Sequence, residues 1–272
     1  MLYSPLLSCL RFLICVPWVL VVGLLQFLNL IFFKKHFFFF YKIFFNGLRK
    51  IFGIKINLSG FPERKNVLFI SNHISYLDIL VLGSLINAVF VAKSDIKKWP
   101  IINKLCLIGK TIFIERENTR LVGEQMRLIE KNMKEGMNVI LFPEGTSSDG
   151  SKVLKFKSSL FKLIDSEKLE DFRIQPISIT YNKLDGLPLD KFFRPFLAWF
   201  GGMDLLPHAW KFLGLGISEV NVKFHDPKNF KFFSDRKHAC RFSYEIISNQ
   251  VKQDFRSLEI DNKIKLYEFK FL

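Results

Sequence analysis

Asn72-His73-Ile74-Ser75-Tyr76-Leu77-Asp78 sets a histidine five positions before an aspartate, directly after the apolar run Val67-Leu68-Phe69-Ile70. A neutral imidazole takes a proton from a hydroxyl near pH 7. A carboxylate on its other nitrogen fixes the tautomer and stabilises the imidazolium that forms. No cysteine follows at metal-ligand spacing, so His73 and Asp78 read as a base and its orienter. Ser75 and Asp78 also fit an S-x-x-D helix start with Ser75 as N-cap. Three further segments carry groups that could hold a polar ligand. Gly109-Lys110-Thr111-Ile112-Phe113-Ile114-Glu115-Arg116 is a strand ending in a guanidinium, suited to bidentate grip on a phosphate or carboxylate. Leu141-Phe142-Pro143-Glu144-Gly145-Thr146-Ser147-Ser148 runs from a strand into a tight turn. There Gly145 lets a ligand approach, and hydroxyls and amides could bind a headgroup. Ile174-Gln175-Pro176-Ile177-Ser178-Ile179 is an apolar strand whose proline, lacking an N–H, is expected at an edge or bulge.

The elements that must position these groups are legible as alternating runs. Apolar stretches of strand length recur at 67–70, 88–92, 111–114, 139–142, 174–180 and 217–224. Helical patterns occupy 76–86 and 120–134, the second ending at Gly136 as a C-cap should, and a polar helix covers 235–256. This order predicts an α/β fold with a mainly parallel sheet flanked by helices. Active residues then belong in loops beyond strand C-termini, and His73, Arg116 and Glu144 each follow a different strand.

Residues 1–50 form a separate expectation, an N-terminal membrane-embedded helical segment ahead of an α/β domain over 51–272. The apolar run 12–33 is long enough to cross a hydrocarbon core and ends at Lys34 and Lys35. Residues 37–45 are too short to span; flanking Lys42, Arg49 and Lys50 suit an interfacial helix. Either a single span or a helical pair dipping into one leaflet fits. The stretch before Arg11 is apolar rather than basic, so a retained anchor is expected instead of a signal peptide. A net charge of +15 implies an anionic partner. Thirty-two phenylalanines and a mean hydropathy of +0.19 favour an anionic membrane surface over nucleic acid. Cys9, Cys15, Cys106 and Cys240 form no C-x-x-C and suit a reducing compartment. A bacterial-type inner membrane with the catalytic domain facing the cytoplasm is therefore expected.

Taken in order, the N-H-x4-D block, the strand ending at Arg116, the F-P-E-G-T block and the strand with Pro176 resemble the glycerolipid acyltransferase family, best known for 1-acyl-glycerol-3-phosphate acyltransferases. The resemblance covers about residues 65–210 and the membrane-associated front end. It implies His73 and Asp78 as the catalytic pair. Arg116 would contact the acceptor phosphate, with Glu144, Gly145 and Thr146 lining the same headgroup site and Pro176 near the acyl donor. Val91-Ala92-Lys93-Ser94-Asp95 looks like the family's lysine-containing segment, which makes Lys93 a candidate for phosphate or oxyanion stabilisation. Two departures bear on the acceptor: Ser159 stands where the family's stretch after the third block has glycine, and the second block's glycine sits one place early. The segment Trp199-Phe200-Gly201-Gly202-Met203-Asp204 resembles bacterial members without an assigned role.

The implied reaction moves a fatty acyl group from acyl-CoA or acyl-carrier protein to the sn-2 hydroxyl of lysophosphatidic acid. It yields phosphatidic acid for phospholipid synthesis, without metal, cofactor or acyl-enzyme. Another lysolipid, such as a lyso-aminolipid, is the alternative acceptor. Hydrolase chemistry would call for a G-x-S-x-G elbow, which the chain lacks. A non-catalytic lipid-binding protein would explain the apolar front but not four functional residues placed after successive strands.

Overall fold

The computed structural model describes residues 3–32, 37–115, 122–166, 169–190 and 192–269. Helix α1, Pro5–Phe32, has 28 residues and is about 42 Å long at the usual rise per residue. Helix α2, Phe37–Ile51, folds back along it. The Gln26 side chain donates to the Phe37 carbonyl at 3.2 Å, and the Trp18 indole N–H to the Phe44 carbonyl at 3.1 Å. Trp18 packs against Gly47, where a Cβ would fall 2.0 Å from the indole, so a larger residue would split the pair. Tyr41 ties α2 to the domain beneath through a 2.8 Å bond to the Ala88 carbonyl.

The domain follows as β1 (Ile54–Ser59), β2 (Val67–Ser71), α3 (Leu77–Leu85), β3 (Ala88–Lys93), α4 (Pro100–Ile108), β4 (Ile112–Ile114), α5 (Val122–Lys134) and β5 (Asn138–Leu141). The chain continues through β6 (Arg173–Leu184), β7 (Leu187–Pro188), α6 (Leu205–Leu213), β8 (Ser218–Phe224), β9 (Lys228–Asn229) and α7 (Arg236–Phe269). The sheet runs β1-β8-β6-β2-β5-β3-β4, with β7 and β9 added against β6. Strands β6, β2, β5, β3 and β4 are parallel, while β8 lies antiparallel to β6 and parallel to β1. The expected fold class, a mainly parallel sheet flanked by helices with an apolar N-terminal helix, is what the chain adopts. Strands β2 and β5 are buried at every position, which is why they read as unbroken apolar runs rather than alternation. Helices α4 and α6 were not foreseen.

Pro176 meets its expectation in part. It is not at an edge, since Ile70 of β2 is its register partner, but it does face a bulge: between the pairs Ile174–Lys228 and Ile177–Phe224, two residues of β6 stand opposite three, His225, Asp226 and Pro227. The physical reason lies on its other side. The Pro176 carbonyl accepts the His225 N–H at 3.0 Å, and the return bond proline cannot donate comes from Gln175, whose side-chain amide reaches the His225 carbonyl at 2.9 Å. The gap between β8 and β9 accommodates this exchange.

Because β2, β3, β4 and β5 point the same way, the loops after them open on one edge. That edge holds the site.

Candidate active site

His73 leaves the end of β2, and its Nδ1 meets Asp78 Oδ2 at 2.8 Å. Asp78 sits in the first turn of α3 and is fully buried. Its Oδ2 also accepts the Ile74 N–H at 2.7 Å and the Ser75 N–H at 3.0 Å, while Oδ1 accepts the Tyr181 hydroxyl at 2.9 Å. Both oxygens of this carboxylate act as acceptors, toward two amides and a hydroxyl, so in the contact with it Nδ1 is the donor and Nε2 the ring nitrogen without a proton. The imidazole is held from below by Phe142, 4.2 Å away and stacked within 21°. Ser75 does not act as N-cap: Tyr76 holds that position without a side-chain bond, and the Ser75 hydroxyl is buried without a partner. The Asp78 N–H, which such a cap would have served, goes instead to the Ser75 carbonyl at 3.0 Å.

Asn72 also shapes the loop. Its side-chain amide pairs both ways with Ile179, accepting the N–H and donating to the carbonyl, each at 2.9 Å. This extends the β2–β6 ladder one residue past the strand and fixes where His73 departs.

Glu144 lies beneath that loop rather than open to a headgroup. Its Oε1 accepts the His73 N–H at 2.7 Å and its Oε2 the Leu154 N–H at 2.8 Å. Burial pushes its carboxyl up to about 8 against those two donors, with the Asp78 charge adding to the rise. The Ser148 N–H closes the bracket on the His73 carbonyl at 2.9 Å. Gly145 and Thr146 remain accessible above. Gly145 has φ +79 and the Lys157 ammonium lies over it, 2.9 Å from where a Cβ would stand. Lys157 thus brings a cation to this turn.

Lys93 ends β3 at the same edge of the sheet and pairs with Asp95 at 2.7 Å. Arg116 lies outside the described residues, just beyond β4. Pro176 is buried one register step below the end of β2. Trp199 bonds to the loops that carry His73 and Glu144: its N–H donates to the Ile74 carbonyl at 3.0 Å and its carbonyl accepts the Ser147 hydroxyl. His225 pairs with Ser178 at 2.8 Å on another part of the sheet, and burial pushes its imidazole down to about 4. His36 lies outside the described residues. Among the described residues no three His, Cys, Asp or Glu side chains are grouped as metal ligands would be. Asn72 belongs to the motif, but nothing local in the sequence marks its pairing with Ile179. Tyr181 had no local signal, since 103 positions separate it from Asp78.

Residues 55–180 match the family model for acyltransferases. The lyso-ornithine lipid O-acyltransferase of Rhizobium meliloti is 36% identical over 209 residues, covering 75% of this chain and 72% of that protein. A 1-acyl-sn-glycerol-3-phosphate acyltransferase of Neisseria gonorrhoeae is 37% identical over 102 residues, 37% of this chain and 40% of that protein. The crystal structure of the 1-acyl-sn-glycerophosphate (LPA) acyltransferase PlsC from Thermotoga maritima superposes with TM-score 0.69 at 21% identity, covering 91% of this chain and 94% of that one, a likeness of fold. With the Rhizobium meliloti relative matched over 72% of its length at 36% identity, and the family model matched over residues 55–180, the chain belongs to the acyltransferase family.

Proposed function

We propose that this protein transfers an acyl group from an acyl thioester to the hydroxyl of a lysolipid, with His73 as general base. The observation that carries the proposal is the Asp78 carboxylate, held by four donors so that one ring nitrogen of His73 is protonated and the other free to accept. His73 Nε2 takes the proton as the hydroxyl oxygen bonds to the thioester carbonyl carbon. Collapse breaks the C–S bond, and the thiolate leaves with the proton returned by His73. Gly145, Thr146 and Lys157 supply a turn and a cation for the acceptor headgroup, with Arg116 and Lys93 as further cations. Glu144 acts indirectly, by holding the backbone of His73.

The acceptor we favour is an amino-acid lysolipid of the lyso-ornithine type. Similarity to enzymes named for that acceptor extends over 72% and 81% of their lengths, against 40% for an enzyme named for lysophosphatidic acid. Lysophosphatidic acid stays the second reading, favoured by the F-P-E-G-T turn and its basic surroundings. The donor is acyl-carrier protein or acyl-CoA.

For the N-terminal segment, the packing supports a helical pair that does not cross the bilayer. The Arg11 guanidinium donates to the carbonyls of Leu213, Leu215 and Gly216, and the Ser4 N–H to that of Gly214. These bonds pin the start of α1 to the domain to which α2 returns its end. We place the protein on the cytoplasmic face of an inner membrane.

The test is acyl transfer by solubilised protein, wild type against His73→Ala, with lyso-ornithine lipid or lysophosphatidic acid and each donor in turn. Loss of the base should cost about 10²–10⁴-fold. Equal turnover by both proteins would refute the mechanism; preference for lysophosphatidic acid would refute the acceptor.

A further inference from the structure

We propose that the small cavity beside Tyr181 binds one structural water, through which Arg194 and Asp149 act as positioning residues for Asp78 and His73. The water accepts the Arg194 Nε–H and donates to the Tyr181 hydroxyl oxygen and to the Asp149 carboxylate. The inference rests on the reading of His73 as general base and lengthens the chain of bonds that holds it.

The Tyr181 hydroxyl gives its proton to Asp78 Oδ1 at 2.9 Å, and its oxygen keeps lone pairs that can accept. Tyr181 is buried and lines a cavity of about 10 Å³, with Asp149 and Arg194 as the charged members of the wall. The buried side chains of Ile74, Leu189, Leu197 and Ala198 supply its apolar lining. A space of this size suits a single water, which is stable in a protein interior when it finds about three polar partners. Tyr181, Arg194 and Asp149 are three such partners.

Arg194 opens the short turn Arg194–Phe196. Its guanidinium lies over the Phe255 ring of α7 at 4.3 Å, and its Nε is buried with no partner among the described residues. A buried donor on a cation is costly to leave without an acceptor, so this N–H points to a bound polar ligand. Asp149 Oδ1 takes the Ser151 N–H at 2.9 Å and the Ser151 hydroxyl at 2.7 Å, leaving Oδ2 to accept. Partial burial works against the Asp149 charge, yet the Ser151 bonds and the Arg194 and Lys152 cations hold its carboxyl below the usual range. The resulting chain runs from Arg194 through the water and Tyr181 to Asp78 and His73. Each donor in such a chain polarises the next, so a water bonded to the phenol oxygen strengthens the bond that phenol makes to Asp78.

Arg194→Met and Arg194→Gln separate the buried donor from everything else Arg194 does. Both remove the charge and the guanidinium over Phe255, but glutamine keeps an N–H at the position of Nε and methionine puts a methyl there. In acyl transfer by the full chain, Arg194→Met should lower kcat about 3–10-fold with KM within about twofold, and Arg194→Gln should recover most of that loss. In a Tyr181→Phe background, Arg194→Met should cost nothing further, because the chain then has no hydroxyl to act through. A high-resolution crystal structure of the wild-type protein should show one ordered water bonded to Arg194 Nε, the Tyr181 hydroxyl and Asp149. A dry cavity would overturn the inference whatever the kinetics. So would equal losses in both backgrounds, a glutamine variant as slow as the methionine one, or a lower Tm with kcat unchanged. His73→Ala is run alongside: full turnover there would sink the general-base reading itself, whereas its loss beside an unaffected Arg194→Met would overturn this inference alone.

Discussion

Tyr181→Phe should lower kcat about tenfold while KM stays within about twofold, because the hydroxyl acts through Asp78 and touches no substrate. Oδ1 of Asp78 has one donor, the Tyr181 hydroxyl at 2.9 Å, and both residues are buried. A hydrogen bond to a buried charge is worth about 1.5–3 kcal/mol, so its complete loss at the transition state would slow the reaction about 10–150-fold. The lower end is expected, since the Ile74 and Ser75 amides still hold Oδ2. Leaving Oδ1 unpaired also destabilises the fold by about 1–3 kcal/mol, visible as a lower Tm. The assay is steady-state acyl transfer by Tyr181→Phe, Asp78→Asn and the double variant. If the hydroxyl works through the carboxylate, the double variant should be no slower than Asp78→Asn alone. Multiplicative losses, or a lower Tm with kcat unchanged, would refute the argument and leave Tyr181 a packing residue.

Asn72→Ala leaves the Ile179 N–H and carbonyl without partners in a buried position, so stability should fall by about 2–4 kcal/mol, read by denaturant titration. Gly145→Ala forces a side chain into φ +79 and against the Lys157 ammonium; a strain of about 1–2 kcal/mol is expected, with KM for the acceptor rising more than that for the donor. Glu144 gives a pH signature. Its carboxyl is raised from 4.5 to about 8 in the folded chain, which therefore binds a proton that the unfolded chain releases between those values. Its contribution to stability is full below pH 4.5 and is lost as pH rises through about 8. The Tm of wild type minus that of Glu144→Gln should thus be largest at acidic pH and shrink toward pH 8. A difference growing with pH would reverse the assignment.

The strands of the parallel block were legible because burial on both faces makes the body of each a short unbroken apolar run, as at Val67–Ile70 and Val139–Leu141. Direction was not, and the antiparallel seat of β8 depends on where α6 returns the chain. Helix α4 escaped because none of its apolar residues is buried, so they form no inward stripe, and α6 because it buries only Phe212 and Leu213 at its end. Residue types announced the pair His73 and Asp78, yet the direction of Glu144 is fixed by a turn whose geometry no composition reveals. Its carboxylate points down into the His73 and Leu154 amides instead of up toward a ligand. Pro176 signalled the bulge opposite it but not its seat inside the sheet, where the compensating donor is a side chain, Gln175, that pattern reading treats as an ordinary strand residue.

What makes the N-H-x4-D spacing informative is the loop it closes. Asn72 anchors one end to β6, and Asp78 stands in the first turn of α3 at the other. Between them the chain is just long enough for the amides of Ile74 and Ser75 to turn inward onto the carboxylate that also receives His73 Nδ1. His73 and Asp78 are thus held chiefly by the backbone that connects them, while distant parts contribute the Tyr181 hydroxyl and the braces from Glu144, Ser148 and Trp199. A residue inserted between Ser75 and Tyr76 would keep every functional side chain yet move Asp78 around the first turn by about 100°. The amides would then face no acceptor, and His73 no orienter. Activity should fall as far as in Asp78→Asn even if far-ultraviolet circular dichroism shows the sheet intact; retained activity would mean that Asp78 reaches His73 by some route other than this loop.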